Sequence, residues 1–174
     1  MILDARGLIE KHRSKGVLID ANLLILYLAR KTNPRQARQF APGDTFTDED
    51  FQYLERLVES LGKLITTPHI LTEVSNLAKL DGKALNTFRQ GYKAVVEQME
   101  EFYDESRSVV TDACFMRLGL TDAAIATLSR RNMLVMTLDL DLWSALQQRG
   151  VDAVNFNHLR AQKLRRTPPK LRKL

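Results

Sequence analysis

"GVLIDANLLI", residues 16–25, is an apolar run broken by an acid. After Gly16, the residues Val17, Leu18 and Ile19 read as a strand over 17–20 buried on both faces. Asp20 ends that strand. Asn22 is placed to cap a helix through "LLILYLAR". A carboxylate at the end of a core strand is costly to bury. It needs either a partner or a use.

The same grammar recurs along the chain. "KLITTP" gives a strand over 63–66, "NMLVMTL" one over 133–137, and "VDAVNF" a last strand. Helices are expected between them. One covers 2–13, and one runs over 48–61, capped by Thr47 and stopped by Gly62. "HILTEVSNLAKL" follows Pro68, a residue tolerated in a first turn. A long helix is expected over 83–104, and "SVVTD" reads as a short strand or extended link. Thr111 and Thr121 are placed to cap "ACFMRLG" and "DAAIATLSRR", and "DLDLWSALQQRG" is a helix ended by Gly150. Between 31 and 46, "KTNPRQARQFAPGDTF" has the Pro, Gly and Asn of a surface loop. Alternating strands and helices predict an α/β domain with a mainly parallel sheet.

A chain of 174 residues suits one globular domain, here 1–158, followed by a basic tail over 159–174. No apolar stretch approaches the roughly 20 residues that span a bilayer. The first residues lack the apolar core of a secretory signal, so a cytoplasmic location is the expectation. Cys114 is the only cysteine, which rules out an internal disulfide and suits a small buried hydrophobe. His12, His69 and His158 are scattered, and no His/Cys pair has zinc-ligand spacing. Net charge is +5, and no acid follows Asp152. The tail is therefore either a solvated basic end or a phosphate-backbone contact.

In parallel α/β sheets, ligands bind beyond the carboxyl ends of the strands. Asp20 ends the first strand, Glu73 lies early in the helix after the second, Asp122 starts a helix, and Asp139 follows "LVMT" with Asp141 two residues on. Singly, each has a plain explanation as a cap, a partner of the helix dipole or a surface charge. Together, converging carboxylates would repel one another unless a cation joined them. Oxygen donors suit a hard divalent ion, Mg²⁺ or Mn²⁺.

These segments resemble the motifs of the PIN-domain nucleases, and among them the VapC-like ribonuclease toxins. "VLIDANLLI" is similar to the first motif, "ITTPHILTEVSNL" to the second, "LGLTDAAIATLS" to the third and "LVMTLDLDLWSAL" to the fourth. They occur in the family's order and span 17–146. The resemblance implies a three-layer α/β/α, Rossmann-like PIN fold with a central parallel sheet, and metal-dependent endoribonuclease activity. It implies Asp20, Glu73, Asp122 and Asp139 as the catalytic and metal-binding acids, with Asp141 as a further metal candidate. A toxin of this kind would pair with an antitoxin and form a homodimer. Helical material around 31–62 and 83–110, and the basic tail, lie outside the motif set.

Around those acids, Asn22, Thr121 and Thr137 are placed to hydrogen-bond a carboxylate, with helix capping as the alternative. His69, four positions before Glu73, is either a general base or a surface histidine. Arg30, Lys31, Arg35, Arg38, Arg130 and Arg131 offer phosphate grip or ordinary surface charge. Single-stranded or loop RNA is the expected substrate, with Tyr27, Phe40, Phe46 and Trp143 as stacking candidates; Trp143 also suits the core. Competing readings are a non-catalytic PIN-like RNA-binding module in an RNA-processing assembly and a housekeeping RNA-maturation nuclease. "LDLD", 138–141, superficially resembles an aspartate-nucleophile phosphatase motif, but it falls late in the chain and lacks supporting motifs.

Overall fold

The computed structural model describes residues 5–41 and 46–166. Its centre is a five-stranded, all-parallel sheet in the order β3-β2-β1-β4-β5, where β1 is Val17–Ile19, β2 Leu64–Thr66, β3 Glu100–Glu101, β4 Leu134–Thr137 and β5 Ala153–Asn155. The layers are those of an α/β/α Rossmann-like fold. β1 lies in the middle, paired with β2 through Val17↔Leu64 and with β4 through Ile19↔Met136. That position explains its composition. Val17, Leu18 and Ile19 are completely buried because helices cover both faces of a parallel sheet. Each such side chain contributes about 1.5–3 kcal/mol.

The helix after β1, α2 (Ala21–Thr32), is buried on almost every side from Leu23 to Ala29. A helix that is apolar all round belongs inside the protein. Here α3 (Asp48–Glu59), α4 (Pro68–Leu77) and α5 (Gly82–Val96) pack around it. α3 starts with a capping box, in which Thr47 and Asp50 each accept the other's backbone N–H. Thr67 caps α4, with Pro68 at its first position. On β4 and β5 pack α1 (Ala5–His12) and α9 (Leu140–Gln148). Among the described residues no helix is long and apolar enough to cross a membrane.

Several local expectations are corrected. The expected helix over 83–104 ends at Val96, and Glu100–Glu101 add β3 to the edge of β2. "SVVTD" is not extended: Ser106–Val109 form a short helix, α6, whose Val109 is buried against the helix bearing Ala123 and Ala124. A second short helix, α7 (Phe115–Leu118), is not capped by Thr111; the Asp112 carboxylate accepts the Cys114 N–H just before it. Thr121 lies inside the next helix, α8 (Leu120–Leu128), which starts at Gly119 with φ 89°. A side chain at that φ would be strained. Asn22 lies within the first turn of α2, and Asp20 holds the cap position. Finally, Phe156–Arg166 form a helix, α10, across the start of the expected basic tail. Ile2 and residues 167–174 lie outside the described residues.

Candidate active site at the carboxyl rim of the sheet

Strand order fixes where the chain can build a site. From β1 the connection runs to β2 on one side, and from β4 to β5 on the other. The gap between β1 and β4 is the topological switch point, where open α/β sheets leave a crevice at the carboxyl ends of their strands. Asp20 leaves β1 at this gap, and Asp139 follows β4 across it.

Asp20 is held by backbone on both flanks. Its N–H donates to the Met136 carbonyl at 3.0 Å, the last rung of the β1/β4 ladder. Its own carbonyl accepts from Leu24 at 2.8 Å and so starts α2. The side chain is 2% exposed. Thr137, completely buried at the end of β4, donates its hydroxyl to Asp20 Oδ2 at 2.8 Å and accepts the Asp139 N–H at 2.9 Å. One threonine therefore bridges the switch point and fixes an acid on each side. Asp139 caps α9, its Oδ1 accepting from the N–H groups of Asp141 at 2.7 Å and Leu142 at 2.9 Å. The Asp139 loop is also held from β5 and α10, where Asn155 donates to the Leu138 carbonyl at 3.2 Å.

The electrostatics tie in the remaining acids. Burial pushes the Asp20 carboxyl up to about 6, the Thr137 hydroxyl and the Ala21 N–H pull against it, and the charges of Glu73 and Asp139 raise it further. Asp122, half-buried at the start of α8, is pushed up to about 7 by burial and by Asp20, Asp139 and Glu73. Four carboxylates from four separate elements thus act on one another. Among the described residues, however, no group of three His, Cys, Asp or Glu side chains is placed to hold a metal ion. The donor chemistry suits a hard divalent cation: oxygen donors only, with mutual repulsion that a positive ion would relieve. The acids are neighbours, not a preformed cage.

Two grooves open beside them. One, of 520 Å³, is lined by Glu73, His69, Thr121 and Tyr103. The other, of 410 Å³, is lined by Asp139, Asn22, Phe40 and Asn157. Thr121 and the exposed Asn22 thus stand at groove walls, while Thr137 lies beneath the acids. Asp141 gives its N–H to Asp139 and leaves its own side chain exposed. His69 pairs with Ser106 Oγ at 3.3 Å and not with an acid of the cluster.

The stacking candidates divide. Tyr27 and Phe46 are buried and offer no free face; Trp143 is half-buried, its indole N–H donating to the Ala153 carbonyl and its ring meeting His158 edge-on; Phe40 reaches a groove. Several basic candidates already face acids: Arg30 near Glu55, Lys31 on Glu59, Arg38 on Asp48 and Arg131 on Asp104. The side chain of Arg130 lies outside the described residues. Residues missed in the sequence are Tyr103, and Asn155 and Asn157 behind the Asp139 loop. The pair "NFN" at 155–157 directly after an apolar strand is the one signal that marked them. No protein-family model and no curated protein matches the chain.

Proposed function

We propose that the chain is a PIN-type, metal-dependent endoribonuclease that hydrolyses phosphodiester bonds in RNA at the rim between β1 and β4. The observation that supports this reading is the setting of Asp20, a buried carboxylate at the β1/β4 switch point that Thr137 ties to Asp139 and that lies within the charge of Glu73. A setting of that kind is a common mark of functional sites. Asp20, Glu73, Asp122 and Asp139 would hold a Mg²⁺ or Mn²⁺ ion. When bound, such an ion neutralises phosphate charge and activates water. The chain's own residues do the positioning: Thr137 orients Asp20, and the α9 cap fixes one oxygen of Asp139.

The test compares the wild-type chain with Asp20→Asn on an unstructured RNA in Mn²⁺. The wild type is expected to cut, and the variant to lose on the order of 100-fold or more. Equal cutting by both would overturn the assignment. One observation favours a second reading, a PIN-like module that binds RNA without cutting it: no three of the acids are placed to hold an ion. Under that reading neither protein cuts and both bind. The toxin role, an antitoxin partner, a homodimer and a cytoplasmic location rest on the sequence resemblance and composition alone.

A further inference from the structure

Tyr103 is the one exposed Phe, Tyr or Trp side chain among the described residues, at 68% accessibility. Its place is set by the sheet. The Phe102 N–H donates to the Thr66 carbonyl at 3.0 Å, extending the β2/β3 pairing by one residue. The Phe102 ring is covered by the Arg131 guanidinium at 4.8 Å. Tyr103 therefore leaves the edge strand at its carboxyl end, on the rim where the acids gather. Strand order then ranks the rim: Tyr103 after β3, Glu73 after β2, Asp20 after β1. Two strand spacings, about 10 Å, separate the ends of β3 and β1.

Unlike the exposed Met116 and Leu140, Tyr103 lines the groove that also holds Glu73, so its ring stands at the site itself. The groove it shares holds Glu73 and the polar side chains of His69, Ser106 and Thr121. That is an exposed aromatic ring beside hydrogen-bonding groups, the chemistry that accepts a nucleobase. We infer that Tyr103 is the stacking platform for an unpaired base of the RNA strand, one nucleotide position away from the phosphate held at the acids. This rests on the nuclease reading for the identity of the strand. Stacking on an aromatic tolerates any base, so the platform favours single-stranded RNA without selecting a sequence.

The experiment uses the full chain carrying Asp20→Asn, which leaves the strand uncut, and a single-stranded RNA containing the fluorescent base 2-aminopurine. Binding is expected to quench the base. Adding Tyr103→Ala should abolish the quench and weaken binding about 5- to 150-fold, the effect of truncating a stacking aromatic. Tyr103→Phe and Tyr103→Trp should keep both. An unchanged melting temperature for Tyr103→Ala shows that the fold is intact. Equal quench and affinity with Tyr103→Ala would overturn the platform, as would failure of the chain to bind the RNA at all. Cleavage by the wild type is scored separately. If cleavage is absent while the Tyr103-dependent quench persists, the nuclease reading falls and the platform stands.

Discussion

At Thr137 a single hydroxyl serves two acids, and its donation to Asp20 is the largest force opposing the rise of that carboxyl. The opposition is incomplete, and the remainder has a measurable consequence. Below about pH 4, near its ordinary value of 3.8, Asp20 is neutral whether the chain is folded or not, so its burial costs little. Between there and about 6, the unfolded chain gives up the proton while the folded chain keeps it. Stability must therefore fall as pH rises through this window. At about 1.4 kcal/mol per pKa unit the loss is about 3 kcal/mol. Asp122, raised to about 7, acts in the same direction. Asp20→Asn retains an acceptor for Thr137 and removes the charge. In EDTA, denaturant unfolding should find it more stable than the wild type by up to about 3 kcal/mol at pH 8, with the gap closing near pH 4. A gap independent of pH would mean that burial does not hold the folded Asp20 carboxyl above its ordinary value.

Between elements, α5 comes close to α2 at Gly91. A Cβ added at Gly91 would stand 2.1 Å from Thr32 Cγ2. Thr32 has little freedom to move aside, because its hydroxyl donates to the Leu28 carbonyl at 2.8 Å. Gly91→Ala would ordinarily stabilise a helix by about 1 kcal/mol. Here overpacking reverses the sign, and a loss of about 1–3 kcal/mol is expected in urea unfolding. Thr32→Ser, which removes only the offending methyl, should restore most of it in the double variant. Additive effects would show that the two helices do not meet at this point. The glycine reads as an ordinary helix residue in the sequence because its constraint comes from another element. The same division governs the rest of the fold. β1, β2, β4 and β5 are legible because each carries its own apolar residues, and the acids of the site are legible because each stands beside such a run. β3 is two glutamates, made a strand only by Ile65↔Glu100 and Thr66↔Glu101 pairing, so no local pattern announces it. Tyr103 follows that hidden strand and was hidden with it. "SVV" at 108–110 misled for the opposite reason: β-branched residues favour strands, but burying Val109 against α8 holds the segment in a helical turn. In α10, Phe156 and Leu159 are buried three residues apart, a helical signal obscured by the basic run after it.

Over the whole molecule, charge is sorted by place. The carboxyl rim collects acids that act on one another, while Lys31 and Arg38 are each met by an acid outside it. Exposed pairs of that kind contribute little to stability. They do cancel charge that a polyanion would otherwise feel. Arg160 is committed more deeply, bonded to the buried Asp50 at 3.0 Å and lying over the Phe46 ring at 4.1 Å, where it ties α10 to α3. These three cations are therefore not free grip for a polyanion. Residues 167–174 contribute Lys170, Arg172 and Lys173 with no acid among them. If RNA is the partner, this segment should supply a disproportionate share of the phosphate contacts. Counterion release gives that idea a slope. Each phosphate neutralised on a single strand adds about 0.7 to the fall of log affinity with log salt. A chain ending at Arg166 should therefore bind an unstructured RNA more weakly at low salt, with a salt slope shallower by about 2. Fluorescence anisotropy over a salt series measures it. An unchanged slope would show that these cations stay in solvent, and that binding is borne by the rim and its grooves.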